Sequence, residues 1–462
     1  MLLEGRPSRQ QRRSKETRIM HSNEESVQTK LQRIAKKASA DKDCQFTSLY
    51  HLMNKEHLLE CFTQLNGKAA SGIDNITKDQ YAIHLDANLE NLVDRLHKMA
   101  YKPQPVLRIY IAKLGSQQQR PLGIPTLEDK LVQAGLVKIL QAIYEQDFLA
   151  DSYGFRPLRS CHDALRALSQ TVEGQPVHYI VEADIKGFFD NVDQEQLIRF
   201  ISHRIADKRI LRLIQRFLKA GIQEDGQHKA SETGTPQGGV ISPLLANIYL
   251  HYTLDLWFEK CIKRKCQGYA RLIRYADDYV VCFQIEAEAT YFKEVMETRL
   301  KQFNLEVAPE KTKLFEFGKF AQSKAKARGE RPTTFDFLGF THYNSRSRDG
   351  KRYRMKRKTV SKRFTAKVVA YKEWLKANRT LPTAEIMKTT AAKLRGHFAY
   401  YGVTDNSKSL QSFAYWVTQT LYKWLNRRGK RGCYTWVKFS KLLKLYPLPT
   451  PRIKVNLLSA SW

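Results

Sequence analysis

Two adjacent carboxylates interrupt a stretch of sequence that is otherwise largely apolar. The segment RLIRYADDYVVCF, residues 271–283, contains two short apolar runs joined at Asp277 and Asp278. Because Asp favours tight turns and tolerates their backbone angles, the pair is consistent with a simple hairpin turn. Carboxylate oxygens are also the ligands that Mg²⁺ prefers, so the same pair is consistent with a metal site.

A third carboxylate, Asp184, ends another apolar run, VHYIVEAD, residues 177–184. If the two predicted strands are neighbours in one sheet, Asp184 converges on Asp277 and Asp278 from a distant part of the chain. Three clustered carboxylates repel one another unless cations lie among them. Two Mg²⁺ ions about 3.5–4 Å apart would activate an attacking 3′-hydroxyl and stabilise a leaving pyrophosphate, which is nucleotidyl transfer. The alternative is that Asp184 only caps the segment that follows it.

Two cations flank a polar turn in IAKLGSQQQRPLGIP, residues 111–125. They are Lys113 and Arg120, and the triphosphate of an incoming nucleotide needs cationic partners of this kind. Each residue taken alone is equally consistent with a solvated hairpin tip.

Two further residues suit the rest of a nucleotide. Gln237 lies in TPQGG, a loop without bulky side chains, where a backbone can approach a nucleotide or a template. Taken alone, this loop is only the lead-in to a helix. Phe189 comes five residues after Asp184 and could pack against a sugar, where it would exclude a 2′-hydroxyl. Otherwise Phe188 and Phe189 are core residues, which we expect of at least one of them.

The elements that must position these residues alternate between helix and strand. Strand–turn–strand units are predicted at 107–126 and 271–283, and further short strands in NLEVAPEKTKLFEF and TTFDFLGFTHY. Ser242 is the predicted N-cap of a helix with Pro243 at its first position. Beyond residue 350 the pattern is helical, basic and aromatic. Other helices are predicted near 27–40, 47–65, 79–99, 127–149, 194–206, 209–220 and 286–303.

The positive charge of the chain is concentrated near its ends. The formal net charge is +32. Residues 343–462 contain 28 Lys and Arg against 4 Asp and Glu, and residues 1–40 contain 10 against 4. A random solvated surface would not place most of the excess in one region, so the C-terminal region is predicted to bind a polyanion, and nucleic acid fits best.

Cysteine usage and hydropathy exclude two classes of protein. The seven cysteines form no C-x2-C pairs, which argues against a disulfide scaffold and for a reducing compartment. No run of 18 apolar residues occurs, so we expect no membrane span. The N-terminus is rich in Arg but lacks the apolar core of a signal peptide, which indicates a basic leader, with Met20 as an alternative start of translation.

Six motifs occur in an order that resembles a known family. They are RPLGIP (120–125), YGFRPLRSCHDAL (153–165), ADIKGFFDNVD (183–193), GTPQGGVISPLLANIYLH (234–251), YADD (275–278) and FDFLGF (335–340). Together they resemble the group II intron-encoded reverse transcriptases, also called maturases, of the bacterial type. The resemblance implies an α+β right-hand polymerase with fingers, a palm on an antiparallel sheet, and a helical basic thumb called domain X. The expected domains are a basic leader at 1–45, fingers and palm at 46–345, thumb at 346–425 and a basic DNA-binding segment at 426–462.

The resemblance also implies a role for each candidate residue. The catalytic residues would be Asp184, Asp277 and Asp278, which would hold two Mg²⁺ ions with the Ile185 carbonyl as an extra ligand. The residues expected at the incoming dNTP are Lys113, Arg120, Phe189 and Gln237. The residues expected to hold the primer end are Phe337, Leu338 and Gly339.

The expected partners are group II intron RNA, a DNA target or primer, and dNTPs. Many relatives continue into a zinc-supported HNH endonuclease, whereas here His397 is the last His and Cys433 the only late Cys. We therefore expect this endonuclease to be absent and the primer to come from another source. The residues expected to contact nucleic acid are Lys351, Arg352, Arg354, Lys356, Arg357, Lys358, Arg427 and Arg428.

The expected activity is RNA-templated DNA synthesis together with help in intron splicing, in a bacterial cytoplasm. One alternative is a non-catalytic splicing cofactor that uses a polymerase fold only to hold RNA. Another is a reverse transcriptase of the retron, defence-associated or diversity-generating type. The sequence leaves open the cognate intron, the DNA target and whether a homodimer forms.

Overall fold

Helices and strands alternate through most of the chain, as the sequence pattern predicts. The computed structural model describes residues 26–112, 119–230, 233–235, 238–347, 349–428 and 434–458. In these ranges the helices are α1 (Val27–Ala40), α2 (Lys55–Gln64), α3 (Lys78–Ala82), α4 (Leu85–His97), α5 (Leu127–Asp147), α6 (Cys161–Gly174), α7 (Phe188–Asn191), α8 (Gln194–Ser202), α9 (Lys208–Leu218), α10 (Ser242–Leu250), α11 (Glu286–Lys301), α12 (Ala321–Ala327), α13 (Ser361–Ala377), α14 (Thr383–Tyr401), α15 (Ser407–Leu425) and α16 (Trp436–Leu445). The strands are β1 (Val106–Ala112), β2 (Gln119–Ile124), β3 (Tyr179–Asp184), β4 (Ile222–Glu224), β5 (Gln227–Lys229), β6 (Ala270–Tyr275), β7 (Asp278–Phe283), β8 (Lys313–Glu316), β9 (Thr334–Phe337), β10 (Phe340–Arg346) and β11 (Tyr353–Thr359).

Four strands, in the order β6-β7-β3-β8, form a fully antiparallel sheet that we call the central sheet. Side chains on each strand alternate between its two faces. On β3, Val181 and Ala183 join a core that also contains residues of α5, α8 and α10. Ile180 joins a second core with residues of α6, α14 and α15. Because both faces are covered, polar residues that act on a substrate have to lie near the strand ends.

The first helix packs onto the fold and is not part of a leader. Val27, Leu31 and Ala38 of α1 are buried, and α1 contacts α5 along its length. The expected basic leader at 1–45 is therefore wrong for residues 26–45, although the helix predicted at 27–40 is confirmed. Residues 1–25 lie outside the described residues.

The basic stretch after residue 346 begins with a strand rather than a helix. Strands β9, β10 and β11 form an antiparallel sheet in which β10 pairs with both neighbours. The helical pattern expected beyond residue 350 is therefore wrong as far as Thr359 and is confirmed for α13, α14 and α15. Phe439 of α16 and Leu457 are buried in the same core as these helices, so the end of the described chain packs on them.

Helix α10 begins at Ser242, one residue earlier than predicted. Its N-cap is Ile241, which makes no side-chain capping hydrogen bond, so the predicted cap at Ser242 is wrong. The helix continues through wider π-helical turns at His251–Asp255 and Phe258–Ile262. The first of these turns contains Asp255, which pairs with Arg274 beside the candidate site described below.

Two expectations from the sequence concern disulfides and membrane spans, and the following statements apply to the described ranges. The six cysteines there are all free. None of the helices there is both long enough and apolar enough to cross a membrane.

Candidate active site

The three aspartates predicted to converge lie at one end of the central sheet. Strand β3 pairs with β7 in a register that puts Asp184 directly opposite Asp278. Such cross-strand pairs have Cβ atoms about 4.5–5.5 Å apart. Asp277 precedes Asp278 in the tight turn between β6 and β7, where Ala276 has a φ of 58°. The turn and the metal-site explanations of the Asp pair are thus compatible, because the turn brings both side chains to Asp184.

Electrostatics at this cluster show a shortage of positive charge. Burial, followed by the negative charges of Asp184 and Asp277, raises the pKa of Asp278 to about 7. Burial also raises the pKa of Asp277, and the charge of Asp184 adds to that effect. Glu182, two residues before Asp184 on the same face of β3, has its pKa raised to about 7 by burial and by Asp278. A bound cation would relieve this repulsion.

One lysine that the sequence pattern does not indicate already balances part of the charge. Lys311, in the turn before β8, forms an ion pair with Asp184. In the described part of the chain, no group of three or more His, Cys, Asp or Glu side chains is placed to hold a metal ion. The carboxylates nevertheless fit a hard divalent cation in donor type and in charge. Ile185, the predicted extra ligand, is the next residue after Asp184 in the chain. The backbone carbonyl of Asp184 itself accepts a hydrogen bond from Ala308 N at 2.8 Å.

A buried arginine, also missed, holds the turn of Ala276 and Asp277 between β6 and β7, which we call the catalytic turn after the role proposed for it below. Arg274 is 0% exposed, and its five N–H groups all find acceptors. Two go to Asp255, at 2.7 and 2.6 Å, and Asp255 lies in the first π-helical turn after α10. The others go to Asn247 Oδ1 at 3.0 Å, Ser152 Oγ at 2.7 Å and the carbonyl of Ala276 at 2.9 Å. The backbone of the turn is therefore fixed from beneath by a fully satisfied buried ion pair.

Arg120, the candidate for the triphosphate, lies near the aspartates. It is exposed on β2, and its positive charge acts on Asp277, where it lowers the pKa against the larger effect of burial. Arg120 is therefore within electrostatic range of Asp277, and its role at the triphosphate stays a prediction. Lys113, the second candidate, lies outside the described residues.

Phe189, the candidate for the sugar, lies in α7, the short helix that follows the end of β3 at Asp184. Its backbone carbonyl accepts a hydrogen bond from Thr235 N at 2.7 Å, in the loop that leads to α10. Further along this loop, Gly238 has a φ of 106° and approaches β2 so closely that a Cβ atom would lie 2.4 Å from the Gly123 carbonyl. The loop thus bridges Phe189 and the strand of Arg120. Gln237, which lies within it, is outside the described residues.

The predicted primer-holding residues form the turn between β9 and β10. Leu338 and Gly339 have φ angles of 48° and 81°, the left-handed pair typical of a two-residue hairpin turn. The Tyr400 hydroxyl donates to the Leu338 carbonyl at 2.8 Å, which ties the turn to α14. Phe337 is buried in the core behind it. Leu338 is 8% exposed and lies in the same core, so contact with a primer would have to come from the backbone of the turn.

The predicted phosphate-contacting residues in and just before β11 differ in exposure, and within the strand the exposure follows its alternation. Lys351, Arg352 and Lys358 are exposed, and Lys356 is half-buried. Arg357 points inward and is 1% exposed, with Nη2 donating to Ser169 Oγ. Its predicted contact with nucleic acid is therefore wrong, since alternate residues of a strand face opposite sides.

The remaining basic candidates make contacts within the chain. Arg354 pairs with Glu173 at 2.6 Å. Arg428 donates to Thr383 Oγ1 at 2.9 Å and to the carbonyl of Leu381. The Arg427 guanidinium lies over the Trp424 ring, 5.3 Å from its centroid. For these three, a role at nucleic acid stays a prediction.

Comparison with known proteins decides the family. Residues 111–342, half of the chain, match the family described as reverse transcriptase (RNA-dependent DNA polymerase). The chain belongs to the reverse transcriptase family. Residues 361–441 match the group II intron, maturase-specific domain. A right-hand polymerase fold and the use of divalent metal ions are general properties of reverse transcriptase domains.

Its relatives include intron-encoded proteins. The group II intron-encoded protein LtrA of Lactococcus lactis subsp. cremoris is 43% identical over 225 residues, which are 48% of this chain and 37% of LtrA. Protein YkfC of Escherichia coli (strain K12) is 35% identical over 281 residues, which are 54% of this chain and 73% of YkfC. The chain thus matches little more than a third of LtrA. The two family matches identify it as a reverse transcriptase of the group II intron type.

Proposed function

We propose that the protein is an RNA-directed DNA polymerase whose catalytic residues are Asp184, Asp277 and Asp278. The observation that carries the proposal is the register of the central sheet, which sets Asp184 opposite Asp278 beside Asp277 in the preceding turn. These carboxylates would hold two Mg²⁺ ions, with the Ile185 carbonyl as an extra ligand. When bound, such ions supply activation of a 3′-hydroxyl and stabilisation of pyrophosphate.

The other residues of the site would orient the substrates. Arg120 would bind the triphosphate of the dNTP from β2, together with Lys113 and Gln237. Phe189 would lie against the sugar. In this arrangement β3, β6 and β7 belong to the palm, the sheet of β1 and β2 to the fingers, and α13–α15 to the thumb, while the turn at Leu338 and Gly339 would hold the primer end.

Primer extension on an RNA template with dNTPs and Mg²⁺ tests this proposal. Wild type is expected to extend the primer and Asp277→Ala to give no detectable product, because a ligand of the cluster is lost. Asp79→Ala in α3, which removes an Asp far from the cluster in sequence, is the matched control and should extend normally. If Asp277→Ala extended as fast as wild type, the carboxylate cluster would not be the catalytic site.

We propose further that the protein binds group II intron RNA as a maturase and contacts a DNA target or primer. The match of residues 361–441 to the maturase-specific domain supports this role, as does the excess of 28 basic over 4 acidic residues in 343–462. The exposed cations at the start of this region, Lys351, Arg352 and Lys358, would contact phosphates.

The salt dependence of RNA binding tests the second proposal. Each lost phosphate contact reduces the slope of log K against log salt by about 0.7–0.9. Substitution of Lys351, Arg352 and Lys358 by Ala should therefore reduce the magnitude of this negative slope by roughly 2–3. Lys263→Ala, which removes a lysine paired with Glu259 on another part of the chain, should leave it unchanged. An equal slope in the triple variant would exclude these residues from the RNA contact.

Primer extension and RNA binding together distinguish the proposed polymerase from a non-catalytic splicing cofactor. Tight, salt-dependent RNA binding without any primer extension by wild type would favour that alternative. The maturase-domain match disfavours a retron-type, defence-associated or diversity-generating enzyme. Location in a bacterial cytoplasm remains part of the proposal.

A further inference from the structure

An aromatic residue beside the catalytic turn is held exposed in a strained conformation. Phe155, in the motif YGFRP, has a φ of 58° and a side chain that is 45% exposed. Left-handed backbone is unfavourable for a bulky residue and persists only where the surrounding structure enforces it. An aromatic ring also gains nothing from exposure to water. Both costs point to a task for the ring.

The residue before Phe155 is fixed against the catalytic turn. The carbonyl of Gly154 accepts a hydrogen bond from Asn247 Nδ2 at 2.7 Å, and Asn247 is fully buried. Gly154 also lies so close to the turn that a Cβ atom would be 2.2 Å from the Ala276 nitrogen. The backbone of Phe155 therefore begins in direct contact with the turn that carries Asp277.

The residue after Phe155 is fixed as firmly on its other side. The Arg156 guanidinium is buried and pairs with Glu145 at 3.0 Å. It also donates to the carbonyls of Leu149 and Ser152, each at 2.8 Å. With both neighbours anchored, the left-handed conformation of Phe155 is imposed, and its ring cannot fold into the core.

The ring of Phe155 meets the ring of Phe189. The two lie edge to face, with centroids 6.3 Å apart and planes at 71°. Phe189 also meets the buried Phe188, with centroids 5.4 Å apart and planes at 69°. Edge-to-face packing is a favoured geometry for aromatic pairs. Phe189 is therefore in contact both with a core ring and with a ring projected from the YGFRP loop.

We infer that Phe155 is a positioning residue for sugar selection, which braces Phe189 at the 2′ side of the incoming nucleotide. The inference rests on the proposed function, in which Phe189 lies against that sugar. Without the brace, Phe189 can rotate away from Phe188 toward the space that Phe155 leaves. The site then admits a 2′-hydroxyl that it would otherwise exclude sterically.

Single-nucleotide primer extension with dNTPs and with the matching rNTPs tests this inference. The ratio of kcat/KM for dNTP to that for rNTP should fall on the order of 10-fold in Phe155→Ala, the scale for loss of one apolar contact in a discriminating site. Phe155→Tyr keeps the ring and should restore the ratio. Leu158→Ala removes another exposed apolar side chain with a left-handed φ, 59°, from the same loop, and should behave like wild type.

The outcomes separate this inference from the proposed function. If wild type incorporates no dNTP, the proposed function fails. If wild type incorporates dNTP but Phe155→Ala keeps the wild-type ratio, including the case in which both rates fall equally, only the inference is overturned. Phe155→Gly guards against misfolding, because Gly adopts a φ of 58° without strain. It should unfold at a temperature no lower than wild type and still lose selectivity, and a wild-type ratio in this variant would also overturn the inference.

Discussion

Removal of the Arg274 side chain should both destabilise the protein and disable the catalytic turn. In Arg274→Met, the carboxylate of Asp255, which is 2% exposed, loses both hydrogen bonds from the guanidinium and its buried cationic partner. Breaking a buried ion pair in this way costs about 3–5 kcal/mol. The Ala276 carbonyl loses its donor as well, so the turn can shift, and a misplacement of about 1 Å lowers the rate on the order of 10²-fold.

A double variant separates these two effects. Arg274→Met combined with Asp255→Leu removes both charges, and replacing a buried pair by apolar residues is often neutral in free energy of unfolding. We expect urea unfolding to show recovery to within about 1–2 kcal/mol of wild type. Primer extension should nevertheless stay low, because nothing donates to Ala276.

The control lies three residues earlier on the same strand. Arg271 pairs with Asp151 at 2.6 Å, but its side chain is 30% exposed, so Arg271→Met should cost less free energy of unfolding than Arg274→Met. Full recovery of primer extension in the double variant would refute the reasoning. Arg274 would then serve only to neutralise Asp255, with no part in placing the turn.

Two further predictions concern pH and backbone contact. Burial lowers the pKa of His342 and of His397 to about 3, whereas an unfolded chain titrates near 6.5. The unfolded state then binds more protons between these values, so the free energy of unfolding should fall as pH drops below about 6.5. The double variant His342→Phe/His397→Phe should lose less free energy of unfolding between pH 7 and pH 5 than wild type, as measured by urea unfolding. An equal loss in the two proteins would show that these histidines do not cause the decline. Gly154→Ala should lower primer extension on the order of 10²-fold by displacing the catalytic turn, while Gly174→Ala, which meets nothing within 4 Å, should not. Equal activity of these two glycine variants would show that the turn tolerates the added methyl group.

Strands β3, β6 and β7 could be predicted because they are short apolar runs adjoining Asp184, Asp277 and Asp278. The convergence of Asp184 on Asp278 depends on β3 and β7 being neighbours, which the apolar runs alone do not specify and which the structure confirms. Strand β11 could not be predicted, because its inward positions hold Arg357 and Thr359 beside a single Met. A stretch with so many cations lacks the apolar signal of a half-buried strand.

The residues that support the site were missed for a different reason. Lys311 meets Asp184 from a position 127 residues away, and nothing in its local sequence indicates that contact. Arg274 could have been recognised from the sequence, because it follows Ile273 in an apolar strand just before the turn. A cation in a buried strand needs a buried partner. The partner, Asp255, lies on a separate element, so the sequence gives no indication of its identity.

The strand order of the central sheet also has a consequence for synthesis of the chain. Strand β3 is an inner strand, yet its partner β7 is made about 95 residues later and β8 later still. At about 5–20 residues per second, a ribosome needs roughly 5–20 s to supply β7. During that time β3 has two unpaired edges with apolar side chains on both faces, which is a template for aggregation. The strand order that brings the aspartates together therefore leaves β3 open to wrong pairing until β7 has been made.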